Sequence, residues 1–190
     1  MKTLRALFRD PRFSIGAIIM LILVLLSLLS FLSPYDPTVW RAVPRDLPPS
    51  AEHWLGTTSL GQDLFWLLTA AIRNSILLAF ISAAISRVIA LAVGLISGYM
   101  GGTVDRVLMF INDGFIVLPL LLVLILLAML IQEQLSVPTM ALLFGVMGWA
   151  VDSRFIRTQI LSLRERDFTF TAILSGAPVH KLITNEYMLF

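Results

Sequence analysis

The residues able to carry covalent or acid–base chemistry are sparse and do not converge. With no cysteine, disulfides and thiolate chemistry are excluded. The two histidines, His53 and His180, fall in segments that the topology below assigns to opposite faces of a membrane, so no zinc cluster is expected. An intramembrane enzyme would need a nucleophile with its base, or converging metal ligands, inside the apolar stretches. Asp113 alone does not make such a site, and the serines of those stretches have no histidine or lysine partner there. No G-x-x-x-x-G-K-[ST] phosphate loop occurs, and "SGYMGG" reads as a helix-ending turn rather than a phosphate cradle. The expectation is therefore no enzyme, no catalytic residue, and no metal or cofactor held by this chain. What remains is electrostatic: Arg87, Asn112 and Asp113 lie within otherwise oily runs.

The elements that must position them follow from composition. Across 190 residues the chain is 58% hydrophobic and only 14% charged, with a mean hydropathy of +0.90. That is too apolar for a soluble domain of this length. The fold class read from it is all-α, a polytopic helical membrane protein with four transmembrane helices. The formal charge of +2 is too small to point to nucleic acid.

Residues 1–12 form a basic amino terminus. "FSIGAIIMLILVLLSLLSFL", 13–32, is uncharged and long enough to cross a ~30 Å hydrocarbon core at ~1.5 Å per residue. A signal peptide competes for this stretch, but the run exceeds the usual signal core and no small-x-small cleavage site follows before Pro34. The reading is an uncleaved anchor. Residues 33–73 carry Pro34, Pro37, Pro44, Pro48 and Pro49 and read as an external loop ending in an interfacial lead-in helix, with Trp66 at a headgroup boundary. The core, 75–190, contains spans at 75–100, 104–130 and 138–156, followed by helices over 164–190. "GYMGGT" allows only a tight reversal between the second and third spans, so these should pack side by side. Ala90, Gly94 and Gly98 form a small-residue stripe that lets helix backbones approach, unless they simply reflect the abundance of glycine in membrane helices.

Ten of the 14 Lys and Arg fall on one side of this topology, three on the other, and Arg87 lies inside a span. The positive-inside rule then puts the amino terminus, the Gly101 turn and the carboxyl end in the cytoplasm. Arg87 needs a partner. It lies about 12 residues above the turn and Asp113 about 9, hence ~18 and ~13 Å, a difference that arginine's length covers. An Arg87–Asp113 pair with Asn112 nearby is expected, against the alternative of another subunit or a water cavity. Pro119 should kink the third span, either as a structural bend or as part of a gate.

"RERDFTFTAILSGAPVHKL" from Arg164 is neither span nor polar tail. Phe168, Phe170, Ile173 and Leu174 make one apolar face, Gly176 suits a helix end and Pro178 the next helix start, and Val179, Leu182 and Ile183 make a second stripe. Such helices lie in a partner's groove, on the bilayer, or on their own bundle.

Taken in order, "HWLGTTSLGQDLFWLLTAAIRNSI", "GLISGYMGGTVDRVLMFIND", "GWAVDSRFIRTQILSLRERDF" and "TAILSGAP" resemble the permease subunits of binding-protein-dependent ABC importers for dipeptides, oligopeptides and nickel, some of whose relatives handle oligosaccharides. The resemblance implies an ABC importer permease fold in a bacterial or archaeal cytoplasmic membrane. It implies a homologous permease subunit, ABC ATPase subunits that bind ATP and Mg, an extracytoplasmic substrate-binding protein and the lipid bilayer as partners. It further implies that Phe168, Phe170, Thr171, Ala172, Leu174, Gly176, Ala177 and Pro178 belong to a coupling segment docked on the ATPase. Gly176 matches the family's fixed glycine, whereas Phe170, Thr171 and Ala172 stand where a Glu-Ala-Ala triplet is usual. The family commonly has about six spans, and the expectation is a chain that stops after the coupling segment, lacking two helices, either truncated or completed by a second polypeptide. Such a chain is either a working permease half or a non-transporting fragment.

Overall fold

The computed structural model describes residues 10–131 and 136–166. Among them are five α-helices: α1 (Pro11–Leu29), α2 (Leu64–Met100), α3 (Gly102–Val117), α4 (Leu120–Leu130) and α5 (Val137–Arg164). Three stretches are long and apolar enough to cross a membrane, Pro11–Leu32, Leu64–Met100 and Val137–Arg164, and α3 with α4 makes a fourth if the bent pair is one span. The chain divides into two compact units, Met1–Leu78 and Ala79–Phe190. The coupling residues Phe168, Phe170, Thr171, Ala172, Leu174, Gly176, Ala177 and Pro178 lie outside the described residues.

In the first unit, Asp10 caps α1 by accepting the Arg12 amide at 2.9 Å, and Pro11 occupies the first turn, where its missing N–H costs nothing. A 3-10 turn, Ser30–Leu32, follows before Pro34 forces the chain out of helix. Among the described residues, none of α1 is fully buried, and most of its apolar side chains are exposed. The loop after it is built rather than loose. Arg41 N–H donates to the Leu60 carbonyl at 2.8 Å, Val43 N–H to Gly61 at 3.1 Å and Thr57 N–H to Leu47 at 3.0 Å. Gly61 is required there: its φ is +73° and a Cβ would stand 2.7 Å from the Val43 carbonyl oxygen. The expected lead-in helix is not a separate element, because α2 runs unbroken from Leu64 for 37 residues.

In the second unit, α2 ends where Gly101 and Gly102 take φ of +63° and +58°, reversing the chain into α3. The small-residue stripe meets α5. A Cβ on Gly94 would fall 2.8 Å from Ile156, one on Gly98 2.8 Å from Ile160, and one on Gly145 2.7 Å from Ile85. Rising numbers on one helix face rising numbers on the other, so α2 and α5 run parallel. Their apolar contact is completed by Ala90, Trp149 and Ala150 with Ile89, Val93 and Phe115 around them, and by Ile160 and Leu163 against Leu95 and Tyr99. Helix α3 lies antiparallel along α5, with Phe115 and Trp149 rings 5.2 Å apart.

The stretch read as one kinked span, 104–130, is two helices meeting at 79°. Leu118 (φ −65°, ψ 130°) and Pro119 (φ −70°, ψ 91°) are extended, and Pro119 has no N–H to continue the ladder. The Pro119 carbonyl instead starts α4 by accepting from Leu122 at 2.9 Å and Val123 at 3.2 Å. At 16 and 11 residues, ~24 and ~17 Å long, neither piece crosses a bilayer alone. Helix α5 reaches Arg164, eight residues past the end of the span read at 156.

Candidate functional site

Polar side chains line the seam between α3 and α5, held in register by the antiparallel packing. Nearest the Gly101 turn, Asp105 accepts from Arg157 Nε and Nη2, both at 2.6 Å, and from the Ser97 hydroxyl of α2. This two-pronged arrangement fixes guanidinium and carboxylate in one plane. Arg164 Nη1 closes the turn by donating to the Gly98 carbonyl at 3.1 Å, with its guanidinium 5.9 Å from the Tyr99 ring centre.

Two turns deeper, Asn112 is fully buried. Its Nδ2 donates to the Ala150 carbonyl at 2.7 Å and to Ser153 Oγ at 2.5 Å, and Ser153 in turn donates to Ala150. The amide thereby ties α3 to Ala150 and Ser153 of α5. Its Oδ1 has no partner among the described residues, which offsets part of that gain.

The anticipated Arg87–Asp113 pair does not form. Asp113 pairs with Arg154, and Arg87 reaches Asp152 at 2.9 Å. The reason is the packing order: α2 lies against α5 through its glycine notches, so α5 supplies the partner for each helix beside it. Residues 152 and 154 point ~200° apart around α5, which sends one carboxylate to α2 and one guanidinium to α3. Both pairs are open in this chain, with side-chain exposures of 63% and 32% for Arg87 and Asp152, and 48% and 54% for Arg154 and Asp113. Counted from Met100 and Gly102, where the helices meet the turn, Arg87 and Asp113 lie ~20 and ~17 Å along their helices, and exposure to lipid there would cost each charge about 2.5–3.5 kcal/mol. These faces are therefore suited to protein or water. On the α3 side Asp105, Arg106, Met109, Asp113, Arg154 and Thr158 surround a polar recess of about 420 Å³.

Sequence reasoning singled out Arg87, Asn112, Asp113, the stripe and Pro119. It missed Asp152, Ser153 and the Asp105–Arg157 pair, whose signal was present in the spacing of Asp152, Arg154 and Arg157 along one helix.

A second polar cluster, in the first unit, organises the start of α2. Asp63 Oδ1 accepts the amides of Phe65 at 2.9 Å and Trp66 at 3.3 Å, capping the helix. Its Oδ2 accepts from the Tyr35 hydroxyl at 3.0 Å and lies 2.7 Å from His53 Nδ1. Burial alone would push the Asp63 carboxyl up, but the hydrogen bonds from His53, the Trp66 amide, Tyr35 and the Phe65 amide together hold it below the ordinary range. Burial, with the hydrogen bond to Asp63 and its negative charge, pushes the Tyr35 phenol up to about 12. "QDLFWLL", an aspartate just before an apolar helical run, was the readable signal for the cap.

Among the described residues at least three helices are long and apolar enough to cross a membrane, and with the charged seam between α3 and α5 they mark a multi-pass membrane protein. Residues 90–188, just over half of the chain, match the family described as "Binding-protein-dependent transport system inner membrane component". The chain is 36% identical over 139 residues to the oligopeptide transport system permease protein OppC of Mycobacterium tuberculosis, covering 73% of this chain and 48% of that one. It is 32% identical to the dipeptide transport system permease protein DppC of Bacillus subtilis, over 90% of this chain and 53% of the relative. It is also 32% identical to the nickel transport system permease protein NikC of Escherichia coli, over 84% and 57%. The chain belongs to this family of binding-protein-dependent transport permeases. It spans about half the length of these curated relatives.

Proposed function

We propose that this chain is a permease subunit of an ATP-driven importer that takes up peptides delivered by a soluble binding protein. The observation that carries the reading is the pair of half-open ion pairs, Arg87–Asp152 and Arg154–Asp113, between helices α2, α3 and α5 of a chain with membrane-length helices in a transport family. A homologous permease half and an aqueous path give such charges the cover that lipid denies them. The oligopeptide and dipeptide names of its relatives support peptide as the cargo.

In this reading the amino terminus and the Gly101 turn face the cytoplasm, and the proline-rich loop faces outward. The segment around Gly176 docks on a separate ATPase that binds ATP and Mg and does the hydrolysis. ATP binding draws the coupling segments together and shifts the bundle between inward and outward openings.

The test is uptake of labelled peptide into vesicles holding this chain with its cognate permease, ATPases and binding protein. ATP-dependent accumulation supports the proposal. A complex that assembles and hydrolyses ATP but accumulates no peptide sinks it.

A further inference from the structure

Beside the Asp63 cap lies a recess of about 230 Å³ lined by Pro34, Glu52, Trp54, Asp63, Phe65 and Trp66. It is several times the ~30 Å³ share of one water. Three of the six lining residues are aromatic, and Phe65 contacts both others, with ring centres 4.7 Å apart for Trp54–Phe65 and 5.1 Å for Phe65–Trp66. Two are carboxylic, and none is lysine or arginine. The two carboxylates differ. Asp63 is committed, since its oxygens already accept from Tyr35, His53 and two backbone amides. Glu52 is exposed and has no hydrogen-bond or ion-pair partner among the described residues.

We infer that this recess receives a lysine or arginine side chain from a soluble protein docking on the loop. The aromatic faces offer the negative quadrupole that attracts a cation, and Glu52 supplies the unspent charge. Trp54 is 63% exposed on a polar loop, the placement of an anchor awaiting a partner. Between Ser33 and Asp63 the loop carries Asp36, Asp46, Glu52 and Asp63 against Arg41 and Arg45, so it is acidic in a chain that is basic as a whole. That sign favours a basic protein surface. A zwitterionic lipid headgroup would bring its phosphate against Glu52 and Asp63.

The inference rests on the reading of this loop as the outward docking surface, but its first test needs no transport. The full chain labelled with fluorotryptophan in nanodiscs gives fluorine resonances for Trp40, Trp54, Trp66 and Trp149, assigned by single Trp→Phe variants. Titrated acetyl-arginine-amide shifts Trp54 and Trp66 saturably and leaves Trp149 in place, while Glu52→Gln weakens the response about fivefold with the other resonances unmoved. Equal shifts with acetyl-glutamate-amide, an unchanged response in Glu52→Gln, or shifts of Trp54 produced instead by adding phosphatidylethanolamine to the nanodisc would overturn it. In the assembled importer, Glu52→Lys lowers the affinity of the soluble binding protein about tenfold or more. Unchanged docking there overturns the protein source even where the small probe binds.

Discussion

Neutralising Arg87 and Asp152 tests the packing order of the second unit directly. The two groups stand 2.9 Å apart and are 63% and 32% exposed in the isolated chain. Facing water, such a pair contributes about 1 kcal/mol or less. Covered by protein inside a bilayer, loss of one partner strands the other charge and costs about 3–5 kcal/mol. A double-mutant cycle with Arg87→Gln, Asp152→Asn and both together, read as unfolding free energy of the assembled complex in mixed micelles, is expected to give a coupling of at least about 2 kcal/mol. Arg87→Gln with Asp113→Asn is the control, and its effects should add to within about 0.5 kcal/mol. A strong coupling of Arg87 to Asp113, or none to Asp152, would refute both the pairing and the parallel α2–α5 contact that dictates it.

Three further outcomes follow from geometry already described. Gly94→Leu pushes a side chain into Ile156 and should destabilise the protein by about 1–3 kcal/mol or more, with Ile156→Ala in the same chain restoring part of the loss. No loss in Gly94→Leu would mean the notch is open. Pro119→Ala restores a backbone donor at the break, so spin labels at positions 110 and 127 should move apart as the 79° bend relaxes; an unchanged distance distribution places the cause of the bend elsewhere. For the Asp63 cap, the folded-state pKa lies below the unfolded one, so its contribution is present above the ordinary aspartate value of about 3.9 and is lost as pH falls through the lowered one. Tyr35 runs the other way: its contribution is full below its unfolded value of about 10 and fades as pH rises through about 12. Asp63→Asn should remove the acid limb of the fluorescence of Trp54 and Trp66 without moving the alkaline one by the same amount, and an intact acid limb would exclude Asp63 as its source.

Much of the helix content was legible because it is local. Runs of apolar residues, the double glycine at 101 and 102, and the proline at 119 mark helices and breaks by propensity alone. The Ala90, Gly94, Gly98 stripe announced a close contact but not its partner, since a notch carries no information about which branched side chain fills it. The turn at "GYMGGT" made α3 the obvious neighbour, and the Ser97–Asp105 contact does join the two helices there. The notches, however, face Ile156 and Ile160 of a helix more than fifty residues away. Arg87 was misassigned for the same reason: height along a helix was computable, whereas azimuth around the bundle is a tertiary fact. Arg154 and Arg157 counted among the ten cations of the cytoplasmic side, and only the packing of α3 along α5 makes them partners for Asp113 and Asp105.

The fit of Ile156 over Gly94 and Ile160 over Gly98 has a mechanical meaning. Each branched side chain is a tooth in a slot, so sliding along the axis must lift both teeth out of their notches together. The matched stretches of α2 and α5 therefore advance or tilt as one stiff strut. Among the described residues of this unit, the two-residue joint at Leu118 and Pro119, where the ladder of backbone bonds is already cut, is a natural place for it to flex.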